Sequence, residues 1–159
     1  RADCLGLLGV AREVAALTGK KIKLPESAVE ETGRDIHELA EVQILETELC
    51  PRYTARVMEG FKIKPSPLNM QLRLLSAGIR SIYNLVDVTN YVMWETGFPM
   101  HAFDYDKLQK GRIIVRRAAP GEEIVTLDGI RRKLDPEVLV IADDRVPVGL
   151  AGVMGGIPR

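Results

Sequence analysis

The sequence predicts an α+β protein, with helices packed on a mostly antiparallel sheet. Two observations carry that expectation. The second half of the chain, from Gly111 to Leu150, holds four or five short apolar runs separated by turn signals. The first half holds two or three stretches with helical spacing. Strands therefore follow helices rather than alternating with them, which argues against a doubly wound sheet.

Taken in order, Asp3 is placed as the N-cap of a helix running to Leu17 or Thr18, and Gly19 as its terminator. Leu5, Leu8, Ala11 or Arg12, and Ala15 recur at helical spacing along it. Lys20 to Leu24 reads as a short edge or connector. The stretch 25–40 is acidic, with Glu26, Glu30, Glu31, Asp35 and Glu38, and reads as a linker with weak helix. This divides the chain into 1–24, the tail of a preceding domain; 25–40, the linker; and 41–159, the main module.

Val42 to Glu46 and Tyr53 to Lys62 alternate as strands do. Ser66 is placed as the cap of a helix with Pro67 at its first position, ending at Gly78. Leu68, Leu72 and Leu75 form its expected buried stripe, with Asn69, Gln71 and Arg73 outward. Ile82 to Val86 is expected as a buried strand. Asp87 or Thr89 would then cap a helix from Asn90 to Thr96, closed by Gly97. Pro99 holds Phe98 extended, and Met100 to Phe103 is a short extended piece.

The rest reads as strands: Gly111 to Arg117, with Ile113, Val115 and Arg117 on one face; Glu123 to Leu127; Ile130 to Leu134; Val138 to Ala142; and Val146 to Leu150. Asp128-Gly129 is a strongly favoured hairpin turn.

The chain has 159 residues, 46% apolar and 28% charged, within the range of ordinary globular domains. Lys and Arg total 22 and Asp and Glu total 22. That balance argues against a module that grips nucleic acid alone, though a tRNA delivered by a neighbouring domain is compatible with it. Two cysteines, Cys4 and Cys50, and two histidines, His37 and His101, do not supply a structural zinc site. No metal or cofactor is expected in the chain. Two lone thiols, no apolar run long enough to span a bilayer and no signal-peptide pattern predict a cytoplasmic protein without a membrane partner. The opening Arg1-Ala2-Asp3, without Met, is expected to belong to a longer polypeptide.

The stretch from Asn84 to Asp104 concentrates hydrogen-bonding side chains in an apolar segment. Such groups must be satisfied or used. From spacing alone, His101 is either a core or turn residue or a neutral imidazole that orients a water or hydroxyl. Thr89-Asn90 is either a helix cap or, with the helix-end amides, a hold for a carbonyl or anionic oxygen. Gly155-Gly156 is either a turn or a place where backbone approaches a ligand closely enough for its N–H groups to stabilise an oxyanion. Asp143-Asp144 reads as a solvated turn. Arg116-Arg117 and Arg131-Arg132-Lys133 read as a solvated face, with contact to a phosphate backbone as the alternative.

V-D-V-T-N-Y-V-M-W-E-T-G-F-P-M-H-A-F-D, followed by L-D-G, V-I-A-D and A-G-V-M-G-G, closely resembles the B3/B4 module of the bacterial phenylalanyl-tRNA synthetase beta subunit. L-C-P-R-Y-T-A-R-V and A-G-I-R fit the same module, and the opening R-A-D-C-L-G-L-L-G-V-A-R-E-V-A-A-L-T-G resembles the end of the B1 region before it. The resemblance implies a class II synthetase of α2β2 composition, whose alpha subunit charges tRNA(Phe) with ATP and magnesium. It implies that this module edits, hydrolysing tyrosine wrongly attached to tRNA(Phe). Thr89, Asn90 and His101 match editing-pocket residues, and Gly155 and Gly156 match its glycine turn. The family's glutamate for the tyrosine hydroxyl lies beyond Ile157-Pro158-Arg159. The module is therefore expected to be incomplete at its C-terminus, and this chain alone to edit weakly or not at all. The alternative is a non-catalytic module for subunit assembly or tRNA docking.

Overall fold

A computed structural model describes residues 1–24, 26 and 28–157. Pro25 and Ser27, in the expected linker, and Pro158 and Arg159 lie outside the described residues. The chain forms two compact units, each assembled from separated stretches. One unit comprises Arg1–Glu31 and Gly60–Ala102; the other comprises Thr32–Glu59 and Phe103–Arg159.

The first unit is helical. After a 3₁₀ turn at Ala2–Cys4, α1 runs Leu7–Thr18, α3 runs Leu68–Ser76 and α4 runs Asn84–Thr96. Asp3 lies in the 3₁₀ turn, so the N-cap of α1 is Gly6 instead. Gly19 ends α1 in the left-handed conformation as expected. Gly6 also lets α1 approach α4: a Cβ there would stand 2.3 Å from the backbone N of Gly97.

Three expectations change in this unit. Ser66 is not the cap of α3. Pro67 is, and its carbonyl accepts from the amides of Met70 and Gln71, while the buried Ser66 hydroxyl turns toward α4. The buried side of α3 is Leu74, 2% exposed, with Met70, Gln71 and Ala77 half-buried or less exposed than the leucines beside them. Leu68, Leu72 and Leu75 face outward, at 68%, 53% and 67%. Both sets fit a 3.6-residue period, so spacing cannot choose between them. Finally, no strand forms at 82–86. The helix starts at Asn84, with Tyr83 as its N-cap. A five-residue apolar run does not by itself separate strand from helix.

The second unit carries the sheet. β1 (Glu41–Ile44), β2 (Arg112–Arg117), β5 (Leu139–Ala142), β6 (Pro147–Leu150) and β7 (Met154–Gly155) lie in the order β1-β2-β5-β6-β7. Only the β1–β2 pair is parallel. A parallel pair needs a crossover, and residues 45–111, which include α3 and α4, provide it. β3 (Glu123–Val125) and β4 (Arg131–Lys133) form a separate hairpin around Asp128-Gly129, with Gly129 at φ 79°. Residues 53–62 alternate in sequence but form no strand, since a ladder also needs a partner strand. The acidic stretch holds one short helix, α2 (Ile36–Leu39), whose N-cap Asp35 accepts from the His37 amide.

Alternation along the strands builds the core of this unit. Ile113 and Val115 of β2 and Val140 and Ala142 of β5 are buried. Ala118, Ile124 and Leu134 close over Val140 and Ala142, with Val138 and Leu150 packed alongside. Asp143 is buried rather than solvated: it accepts from the amides of Gln109, Arg145 and Val146 and so ties the β5–β6 turn.

Candidate functional site

In the helical unit, α4 is anchored by Asp87, which has no exposed surface. Its Oδ2 accepts from the hydroxyls of Ser66 and Ser81, both at 2.5 Å, and its Oδ1 accepts from the Ile82 amide at 2.8 Å. Burial pushes this carboxyl up, but the three hydrogen bonds together outweigh it and hold the pKa below the ordinary value. Asn84 adds a second anchor. Its Nδ2 donates to the Lys62 carbonyl at 3.0 Å and its amide to the Lys64 carbonyl at 2.9 Å.

These anchors place Thr89 and Asn90 in the middle of α4, both half-buried. Neither is at a helix end, because the helix begins well before the start that the sequence suggests. Backbone amides at that depth are spent on the helix ladder, so only side chains can act there. Thr89 Oγ1 donates to the Val86 carbonyl at 2.8 Å, leaving its lone pairs as acceptors. Arg73 of α3 donates to the Tyr91 hydroxyl at 2.5 Å and steadies the same helix.

His101 lies on the extended piece after Gly97, which closes α4 in the left-handed conformation. More than a third of its surface is exposed, yet partial burial pushes its imidazole pKa below the ordinary 6.5. The ring is therefore neutral at pH 7, the state that can both accept and donate a hydrogen bond.

In the sheet unit, Gly155 ends β7 and Gly156 follows it. They are part of a ladder rather than a free turn; the turn proper is at residues 151–153. The Gly156 amide donates to the Val148 carbonyl at 2.8 Å, so it is not available to a ligand. The Gly155 carbonyl accepts from the Leu127 amide at 3.0 Å. A Cβ on Gly156 would meet the Val148 carbonyl oxygen at 2.9 Å and Ile124 Cδ1 at 3.0 Å.

The structure thus brings Thr89, Asn90 and His101 into one unit and Gly155 and Gly156 into the other. Two concavities lie elsewhere, about 610 Å³ beside Arg12, Gly19 and Lys21 and about 430 Å³ beside Ile36, His37 and Val42. Both are shallow and hold none of the five candidate residues. The carboxylates of Asp3 and Glu13 approach the Cys4 thiol, but Arg1 pairs with both acids at 2.6 and 2.8 Å. The arginines of the strands are neutralised within the chain: Arg116 by Glu122, Arg117 by Glu137 and Glu46, Arg131 by Glu123, and Arg132 by Asp128. Residue spacing did not single out Thr126, which is fully buried beside Gly156. The available signal was a Thr two residues before the Asp of an Asp-Gly turn, where the hydroxyl can donate to the turn carboxylate.

A family model described as the B3/4 domain matches residues 49–158. The chain is 59% identical over 157 residues, 99% of its length, to the phenylalanine–tRNA ligase beta subunit of Moorella thermoacetica. It is 54% identical to the proteins of the same name from Syntrophus aciditrophicus and Geobacillus kaustophilus, each over 98% of its length. It spans about a fifth of these relatives, 20%, 19% and 19% of their lengths. With well over half of its residues matched by that family model, the chain belongs to the B3/4 domain family.

Proposed function

We propose that this chain is the editing module of a phenylalanine–tRNA ligase beta subunit. Identity of 59% along 99% of the chain carries the reading. The whole protein would charge tRNA(Phe) with phenylalanine in the cytoplasm, using ATP and magnesium bound outside this chain, as an α2β2 assembly with its alpha subunit. This module would hydrolyse the mischarged tyrosyl ester of tRNA(Phe).

The chemistry asks for a second site because tyrosine differs from phenylalanine by one hydroxyl. A pocket shaped for phenylalanine rejects that isostere by only about a hundredfold. A site that hydrogen-bonds the hydroxyl discriminates far better, since phenylalanine leaves its polar groups unpaired. In this reading the neutral His101 imidazole and the Asn90 amide orient the attacking water or the terminal ribose hydroxyl, and the Thr89 hydroxyl oxygen accepts a hydrogen bond from substrate. Gly155 and Gly156 present side-chain-free backbone to the ester. Any oxyanion donor from this pair is the Gly155 amide, because that of Gly156 is engaged with Val148.

The test is deacylation of Tyr-tRNA(Phe) and Phe-tRNA(Phe), side by side, by this chain and by one extended past Arg159. Hydrolysis selective for the tyrosyl ester by the extended chain is expected. His101→Ala and Asn90→Ala each slow it by about ten- to a hundredfold. Folded chains that hydrolyse neither ester move the assignment to the second reading, a subunit-assembly module. The outward leucines of α3 favour that reading.

A further inference from the structure

The glycine pair is gripped from two sides. Between its residues, the Gly155 carbonyl accepts from Leu127 and the Gly156 amide donates to Val148, so both ends of that peptide group are fixed. One step on, the Ile157 amide donates to the Val125 carbonyl at 2.8 Å. Val125 and Leu127 flank Thr126, which itself bridges Gly156. The β3–β4 hairpin is therefore the clamp on one side of the pair, and β6 the clamp on the other.

The apolar anchorage of that hairpin is Ile124 of β3, with Leu134 just past β4, in the core. All three residues of β4 are exposed, and of β3 only Ile124 is buried. A polar knot adds to that anchorage at the turn end. Thr126 Oγ1 donates to Asp128 Oδ1 at 2.5 Å and accepts from Arg132 Nε at 3.1 Å. Arg132 Nη2 donates to Asp128 Oδ2 at 2.7 Å. The turn is closed by the Gly129 amide donating to the Thr126 carbonyl at 2.8 Å, and by the Ile130 amide donating to Asp128 Oδ1 at 3.1 Å. The Thr126 hydroxyl also reaches the Ile130 carbonyl at 3.1 Å, so it ties both arms of the turn, and the charge-assisted bonds to Asp128 and Arg132 are the stronger of its contacts.

We propose that Thr126, locked by Asp128 and Arg132, is a positioning residue: it fixes the Gly155–Gly156 peptide plane, and with it the backbone that faces the aminoacyl ester. The last clause rests on the editing function proposed above. The first stands on the geometry of one unit. Misplacing such a surface by a fraction of an ångström weakens catalysis without a change in any group that touches substrate.

Two measurements test it. Amide hydrogen exchange in this chain is followed by NMR for Thr126→Val, Thr126→Ser and Asp128→Asn. Thr126→Val and Asp128→Asn are expected to speed exchange at Leu127 and Gly156 by about five- to tenfold, with Val140 unchanged, and Thr126→Ser to restore it. Unchanged rates at Leu127 and Gly156, or equal acceleration at Val140, overturn the proposal. If Thr126→Val does not fold, the exchange rates of Asp128→Asn decide alone. In the assembled synthetase containing this module, Thr126→Val is expected to lower kcat for Tyr-tRNA(Phe) hydrolysis about tenfold at constant KM, with Thr126→Ser restoring it. A raised KM at constant kcat, or no change, overturns the link to the ester. A wild-type synthetase that hydrolyses no Tyr-tRNA(Phe) removes the editing function instead, and leaves the clamp on the glycine pair to be judged by exchange alone.

Discussion

Asp87 shows how one side chain decides local structure in this chain. Three donors converge on a carboxylate with no exposed surface, and all of them come from residues outside its helix. Asp87→Ala strands the Ser66 and Ser81 hydroxyls and the Ile82 amide, so unfolding in urea should show a loss of about 3 kcal/mol. The same contacts set a pH dependence. The folded pKa is held below the unfolded one, so the carboxyl contributes stability above its ordinary value of 3.8. That contribution fades as pH falls below 3.8 through the folded value. Acid titration should therefore show a stability decline in that window for the wild type and a shallower one for Asp87→Asn. Gly156 is a second decisive residue. Its missing Cβ makes room for the Val148 carbonyl, so Gly156→Ala should cost about 1–2 kcal/mol by overpacking, read as a lower urea midpoint.

Among the elements, α3 separates what periodicity says from what packing decides. Leu68, Leu72 and Leu75 make as good a helical stripe as Met70, Leu74 and Ala77. The orientation was decided by partners that spacing does not show: Gln71 donates to the Ser66 carbonyl at 2.6 Å, and Arg73 reaches Tyr91. Leu74→Ala should therefore cost about 2–5 kcal/mol and Leu72→Ala under about 0.5 kcal/mol in the same urea series. Equal losses would restore the stripe expected from spacing. α4 was legible as a helix with a glycine stop at Gly97, but not in its start, because Asn84 to Val86 could extend either a strand or a helix. That shift moved Thr89 and Asn90 from a helix end to a helix middle and changed which of their atoms can meet a ligand. The strands from Gly111 to Leu150 were legible almost residue by residue, since alternation and the Asp-Gly turn leave few registers open, whereas the two-residue β7 at Met154–Gly155 was too short to show as one.

For the whole molecule, charge balance is realised as pairing. The strand arginines that could meet a phosphate backbone, Arg116, Arg117, Arg131 and Arg132, are matched by carboxylates of the same unit. Fluorescence anisotropy with an unrelated RNA hairpin should therefore give a Kd no tighter than about 10⁻⁴–10⁻⁵ M near physiological salt. Micromolar or tighter binding would contradict that pairing argument. The two units are each built from separated stretches, because the crossover between parallel β1 and β2 contains α3 and α4. Hydropathy along the chain does not show such a weave. No helix among the described residues is long and apolar enough to cross a membrane.

Local pattern alone carries the α+β class, the positions of the strands from Gly111 to Leu150, the hairpin at Asp128-Gly129 and the motifs that mark the B3/4 family. Each of these depends on short-range periodicity, turn chemistry or residue identity, which are local properties. Only the tertiary structure decided which face of α3 is buried, where α4 begins, that Asp143 is a buried tie, and that the Gly156 amide is held by Val148 while Thr126 locks the hairpin beside it. These depend on which distant groups compete for the same donors and the same apolar surface, and that competition is settled only when the chain is packed.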